Sequence, residues 1–286
     1  MDPALCLHLN NSLGQVFDLA FPISGGDINN AFLLKGQKGN IFVKTNDSKN
    51  TLLNFKSEQF GLEQISKSNT IKTPSILAIG QFNQTAYLAM EFIDKEPPSL
   101  EFWKKLGKAL AQLHLIQFPN FGHQKENFIG SLPQSNQQHS NWSSFYEHER
   151  IRPQIELADK KGLLLARDMN NFALLFQKLN SLLPNSKASM IHGDLWIGNI
   201  ICGPIQNPIL VDPSYALADR EMDMAMSKLF GGFQTAFYQS YQEVFPLEKS
   251  FEDRIELLQL YYLLVHLNIF GSSYYTQTID CLKKYI

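Results

Sequence analysis

Residues 190–213, MIHGDLWIGNIICGPIQNPILVDP, constrain this chain more than any other stretch. Isoleucine or leucine flanks each polar cluster, so the segment predicts short buried strands ending in exposed polar tips. Four residues separate Asp194 from Asn199, and Asp212 follows thirteen positions later. Phosphoryl transfer asks for this inventory: a carboxylate to orient or accept a hydroxyl proton, and oxygen ligands for the Mg²⁺ that bridges a triphosphate. Asp194 would be the first, and Asn199 and Asp212 the metal ligands. Any one of the three could instead be a turn residue bonding local backbone. The set, with its spacing and apolar flanks, is not what isolated turns produce.

Upstream pieces suit the same chemistry. Ser24-Gly25-Gly26-Asp27-Ile28-Asn29-Asn30 lies between two strand-like runs and could lay backbone N–H groups over phosphates. It has neither the G-x-G-x-x-G spacing nor the G-K-[ST] of a P-loop, and a plain hairpin turn would read the same way. Lys44 closes the next strand, NIFVK, where a lysine can reach phosphates, and Glu58 in the following helix could hold it extended. An isolated lysine at a strand end is more often simply solvated. His192 invites a base reading, but two residues before Asp194 it suits a backbone brace better. Gly231-Gly232-Phe233 falls between helical segments and reads as a helix break. Histidines and cysteines show no metal-ligand spacing, which argues against zinc.

The chain divides by texture. Residues 1–94 read as strands (16–23, 31–34, 41–44, 76–79 and 87–93) with one helix from about 51 to 66, giving a five-stranded sheet. After Asp94-Lys-Glu-Pro-Pro, residues 95–286 are mostly helical: 100–115, 142–161, 169–183, 221–229, 232–241 and 251 to the end. Residues 123–140, rich in Gln, Asn and Gly, predict a long loop, of a length that is usually functional or disordered. The fold class expected is α+β, two-lobed, with a small sheet lobe, a larger helical lobe and the site between them. A formal net charge of -2 gives no footprint for a polyanion, so nucleic acid is not an expected partner. Three scattered cysteines suit a reducing compartment, and neither a secretory pattern nor a membrane-length apolar run is visible. A soluble, cytoplasmic monomer is the expectation.

These residues resemble the fructosamine kinase (ketosamine-3-kinase) family of the protein-kinase-like superfamily. The resemblance runs through ISGGDINNAF, FVKTN, FKSEQFGLEQI, LGKALAQLH, FGHQKENFIGSLPQSN, NWSSFYEHERIRPQIELA, IHGDLWIGN and VDPSYALADREMDMAMSKLFGGF. It implies ATP between the lobes, with adenine along Met90, Glu91, Phe92 and Ile93, and phosphates under Gly25, Gly26, Asp27 and Asn29. Lys44, held by Glu58, would touch the phosphates. Asp194 would be the catalytic base and Asn199 and Asp212 the Mg²⁺ ligands. The acceptor would be sugar O3 of a ketosamine, free or protein-bound, and its phosphorylation would release the amine as a deglycation repair. Trp196 would face the sugar or the amine. Arg152 is a candidate substrate contact, and Glu221 a candidate for the substrate amine, with bracing of the lower lobe as its first reading. One departure is Ala218, where the family usually has glycine; a positive φ there would strain the loop after Asp212. Two alternatives stay open: a related kinase for an aminoglycoside or amino-alcohol, which would want an acidic pocket wall, and a catalytically silent nucleotide-binding protein, which would be expected to have lost Lys44, Asp194, Asn199 or Asp212.

Overall fold

The computed structural model describes residues 1–23 and 29–286. It opens on a helix, α1 (Pro3–Leu13), which strand-based reading of the first ninety residues does not anticipate. The signals for it are local. Asp2 caps it by accepting from the Ala4 N–H at 2.8 Å, Pro3 occupies its first turn, and Gly14 ends it at φ 61°.

The sheet that follows comprises β1 (Phe17–Pro22), β2 (Asn30–Gly36), β3 (Ile41–Asn46), β4 (Ile76–Phe82) and β5 (Thr85–Glu91), with α2 (Thr51–Lys67) between β3 and β4. It is antiparallel throughout, in the order β1-β2-β3-β5-β4. Side chains alternate across it. Val43, Tyr87 and Ala89 pack with Leu5 and Leu9 of α1, while Ala86, Leu88 and Met90 pack with Phe55 of α2. That alternation sends Lys44, next to Val43, to the α2 side. The inward row of α2 runs Thr51, Phe55, Glu58, Leu62, Ile65, so the helix presents Glu58 rather than Gln59 to the sheet.

Residues 92–99 lead into the second lobe, where the Glu96 N–H bonds the Cys202 carbonyl at 2.8 Å. There α3 (Leu100–His114), β6 (Gln117–Phe118), the hairpin β7 (Asn127–Ile129) and β8 (Leu132–Gln134), α4 (Trp142–Phe145), α5 (Arg152–Lys160) and α6 (Ala166–Leu182) precede β9 (Ala188–Ile191). The hairpin β10 (Ile200–Gly203) and β11 (Asn207–Leu210), β12 (Ala216–Ala218), α7 (Glu221–Leu229), α8 (Thr235–Val244), α9 (Phe251–Phe270) and α10 (Tyr275–Lys283) complete the chain. The single helix expected over 142–161 is interrupted by a π turn, Tyr146–Ile151, which carries Glu149 and Arg150 inward. Gly231 and Gly232, at φ 92° and 70°, delay α8 to Thr235, and Gly271 at φ 82° separates α9 from α10. α9 is apolar nearly all round and lies at the centre of this lobe's core. No helix of the described residues is long and apolar enough to cross a membrane.

Candidate active site

The loop after β9 is fixed from below by one buried carboxylate. Asp223, in the first turn of α7, accepts the His192 N–H at 2.7 Å, the Gly193 N–H at 2.8 Å and His114 Nε2–H at 3.1 Å. Burial alone would push its carboxyl up. The hydrogen bond from His114, the neighbouring imidazole of His192 and the Gly193 N–H outweigh it and hold the group below the usual carboxylate range. His192 donates Nε2–H to the Val211 carbonyl at 2.9 Å and accepts the Asp194 N–H on Nδ1 at 3.2 Å. Burial lowers its pKa, so the imidazole stays neutral and serves as a brace. Gly193 turns at φ 85°, where a Cβ would lie 2.0 Å from the Ser214 carbonyl oxygen, so backbone from two segments meets there.

Asp194 emerges from this turn into a cavity of about 530 Å³ between the lobes. Asn199 Nδ2 donates to its carbonyl at 2.9 Å and to its Oδ2 at 3.0 Å. Burial raises the Asp194 carboxyl to about 7, against the Asn199 hydrogen bond and with a contribution from the Asp223 charge. In the same cavity, Asp212 sits at φ 54° after β11 and forms an ion pair with Lys44, whose Nζ also bonds Glu58 Oε1 at 2.9 Å. Lys44 and Glu58 are both buried. α2 can lie this close because Gly61, one turn beyond Glu58, has no side chain: a Cβ there would meet Pro213 and Tyr215, each at 2.9 Å. Five expected residues (Lys44, Glu58, Asp194, Asn199, Asp212) therefore converge on one cavity wall.

The Asn/Gln-rich loop holds the segment after Asp212. Asn127 Nδ2 donates to the Tyr215 carbonyl at 2.7 Å, and its Oδ1 accepts from Gln134 at 2.9 Å and Asn136 at 2.7 Å. Arg150 completes the chain by donating to Asn136 Oδ1 at 2.8 Å. The tip of the β7–β8 hairpin reaches the other lobe, where Asn54 donates to the Gly130 carbonyl at 2.8 Å.

The remaining expected residues are placed as follows. Gly25, Gly26 and Asp27 lie outside the described residues. Asn29 lines the cavity and accepts from Asn46 at 3.0 Å. Met90 is buried against Phe55 in the sheet lobe, and Glu91 accepts the Ser75 N–H at 3.2 Å. Phe92 and Ile93 are half-buried in the connection between lobes. Trp196 is 36% exposed and edges the cavity near Phe230. Two substrate candidates are not brought to the cavity. Arg152 pairs with Glu147 and lies 4.2 Å over the Phe176 ring. Glu221 is buried and bonded to Arg254 at 2.6 and 2.8 Å, which fits its bracing role. Ala218 pairs with Ser189 in β12 and is not among the positive-φ residues, so the strain expected there is absent; positive φ falls on Asp212 instead.

The sheet lobe, the helical lobe and this cavity between them define a two-lobed protein-kinase-like fold. Within that class, the chain belongs to the fructosamine kinase family, whose model matches residues 1–286. A protein of Enterococcus faecium assigned as a ketoamine kinase is 35% identical over 92% of this chain and 94% of its own length. The chloroplastic protein-ribulosamine 3-kinase of Arabidopsis thaliana is 33% identical over 92% of this chain and 81% of its own length. A crystal structure from Haemophilus somnus, assigned as a fructosamine-3-kinase, superposes with a TM-score of 0.89 at 28% identity, covering 99% of this chain and 96% of that one.

Proposed function

We propose that this protein is an ATP- and Mg²⁺-dependent kinase that phosphorylates the O3 hydroxyl of sugar-amine adducts, ketosamines, and so frees the amine. The observation that carries the reading is the convergence of Asp194, Asn199, Asp212 and the Lys44–Glu58 pair on one cavity. Family membership supplies the substrate class.

The donor set fits a hard cation. Asp212 offers carboxylate oxygen, and Asn199 commits its Nδ2 to Asp194 and keeps Oδ1 as an oxygen donor. Bound there, Mg²⁺ would neutralise charge on the transferring phosphoryl group. Lys44, held straight by Glu58, exchanges Asp212 for nucleotide phosphate. Adenine would lie along residues 90–93 at the connection between the lobes, and Gly25 and Gly26, outside the described residues, are the expected phosphate contacts. Asp194 orients the acceptor hydroxyl and takes its proton, with a carboxyl near 7 suited to that transfer at neutral pH. Trp196 lies against the sugar.

Against a polycationic aminoglycoside, the acidic residues of the described cavity wall are Glu58, Asp194 and Asp212, and Lys44 already pairs two of them. The wall opposite is aromatic and aliphatic. The test is Mg²⁺-dependent ADP release with ribulosyl-lysine, fructosyl-lysine, choline and kanamycin, using D194A as control. Stimulation by a ketosamine, lost in D194A while nucleotide still binds, is expected. Stimulation by kanamycin or choline alone would overturn the substrate class, and nucleotide binding without turnover would favour a silent protein.

A further inference from the structure

A second hollow, of about 630 Å³, shares no lining residue with the cavity that holds Asp194. It lies where the connection from α2 to β4 in the sheet lobe meets α3 and the start of β11 in the helical lobe. Three lysines line it: Lys72 from the connection, and Lys105 and Lys108 three residues apart on one face of α3. None of its described lining residues is a carboxylate, although the chain has 27 acidic residues to 25 basic ones. Lys105 uses one N–H on the Ile205 carbonyl at 3.0 Å. Lys108 meets Glu243 at 3.6 Å with both side chains more than half exposed, a pair that holds weakly in water. Each ammonium carries three donors, so both keep N–H groups for a ligand. Gathered around a concave space, the three like charges repel one another, and an anion placed among them relieves that repulsion. Such a cluster suits one compact anion, whereas a polyanion calls for charge spread along a face. Asn69, Thr70 and Asn207 add amides and a hydroxyl, which pair with sugar hydroxyls better than with hydrocarbon. The hollow also joins the lobes: the Lys72 carbonyl accepts the Leu210 N–H at 2.9 Å, two residues before Asp212.

We propose that this hollow is a second binding site, separate from the cavity that holds Asp194, for a small phosphate-bearing molecule: a phosphorylated sugar or the free phosphate ion. The phosphate lies among Lys72, Lys105 and Lys108, and the sugar hydroxyls of an ester meet Asn69, Thr70 and Asn207. The ligand then touches both lobes and fastens their junction beside β11. The site does not depend on which acceptor the enzyme phosphorylates.

The test is calorimetric titration of the full chain with glucose 6-phosphate, inorganic phosphate and glucose at constant ionic strength. Mg²⁺ and a non-hydrolysable ATP analogue are kept in excess to fill the nucleotide site. Glucose 6-phosphate should bind and raise Tm as mass action requires, and glucose should do neither. Each lysine supplies a partly exposed, charge-assisted contact worth about 3- to 10-fold, so Lys72→Met/Lys108→Met should weaken binding about 10- to 100-fold. Lys72→Arg/Lys108→Arg, which keeps the charge, should retain most of it. Both lysines are exposed and neither lines the cavity around Asp194, so the Met variant should keep its ligand-free Tm and basal ADP release. Tighter binding of the ester than of inorganic phosphate would show that the hydroxyl and amides contribute. Equal binding would identify the free ion as the ligand, and either result upholds the site. No binding of either phosphate, or binding undiminished in the Met variant, would overturn it.

Discussion

Asp223→Asn tests whether one buried carboxylate sets the turn that carries Asp194. Three donors converge on Asp223: the N–H groups of His192 and Gly193 and Nε2–H of His114. An asparagine has a single side-chain acceptor. With its carbonyl in place of Oδ2 it keeps His192 and His114, but its NH₂ then faces the Gly193 N–H. The reverse orientation strands two donors. The better case sets two buried donors, the Gly193 N–H and the new NH₂, against each other and turns two charge-assisted bonds into neutral ones, a cost of about 2–4 kcal/mol. For a chain of this size that corresponds to a fall in Tm of roughly 5–12 °C. Catalysis should fall by about 10- to 100-fold, because Asp194 follows the displaced Gly193 and sub-ångström placement matters for transfer. A purely structural role would stop there. The Asp223 charge also helps raise the Asp194 carboxyl to about 7, so its removal should move the acid limb of kcat/KM to lower pH. Thermal unfolding and a pH–rate profile measure both effects. A variant with wild-type Tm and an unmoved acid limb would refute the argument.

Other outcomes follow from the same geometry. Asp194→Asn should abolish transfer yet melt higher than wild type at pH 8. The folded carboxyl, near 7, holds a proton that the unfolded chain has released, so stability declines as pH rises through that window; the variant's advantage should vanish near pH 4. Gly193→Ala and Gly198→Ala should differ sharply. The first forces a Cβ against the Ser214 backbone at 2.0 Å, while the second meets the end of the Trp196 side chain at 2.4 Å, which can swing away. Circular dichroism and kinetics should show damaged folding or transfer in the first, and a raised substrate KM on a wild-type fold in the second. Lys44→Met leaves Glu58 buried beside Asp212 without its cation, a loss of about 3–5 kcal/mol that Lys44→Met/Glu58→Met should partly restore in urea unfolding.

The parts of the site legible in the sequence are those encoded by period or by close spacing. Alternation along NIFVK puts Lys44 on the opposite face from Val43, and helical periodicity brings Glu58, the expected partner, beneath it. Asp194 and Asn199 share one loop, so a spacing with four residues between them was enough to pair them. α1 was readable from its Asp-Pro cap and terminal Gly14, but it lies outside the strand pattern that dominates the first lobe. The π turn has no sequence period of its own. Ala218 shows the limit of resemblance, because its backbone strain depends on φ, and pairing in β12 fixes that angle at an ordinary value.

What stayed hidden is the polar scaffold beneath the loop, because it joins residues that are distant in sequence. His114 ends α3, Asp223 begins α7, Tyr241 lies in α8, and Arg220 precedes α7. Arg220 donates to the Tyr241 oxygen at 3.3 Å, Tyr241 OH can donate to His114 Nδ1 at 2.8 Å, and His114 Nε2–H reaches Asp223. Each donor in this chain has an acceptor, which is the condition under which buried polar groups are tolerable. An apolar replacement of equal volume could match its stability. It could not present two anionic oxygens to consecutive backbone N–H groups, and Gly193 at φ 85° against Ser214 leaves that turn no slack. Specification of the Asp194 position, more than net stability, therefore accounts for burying a charge network there.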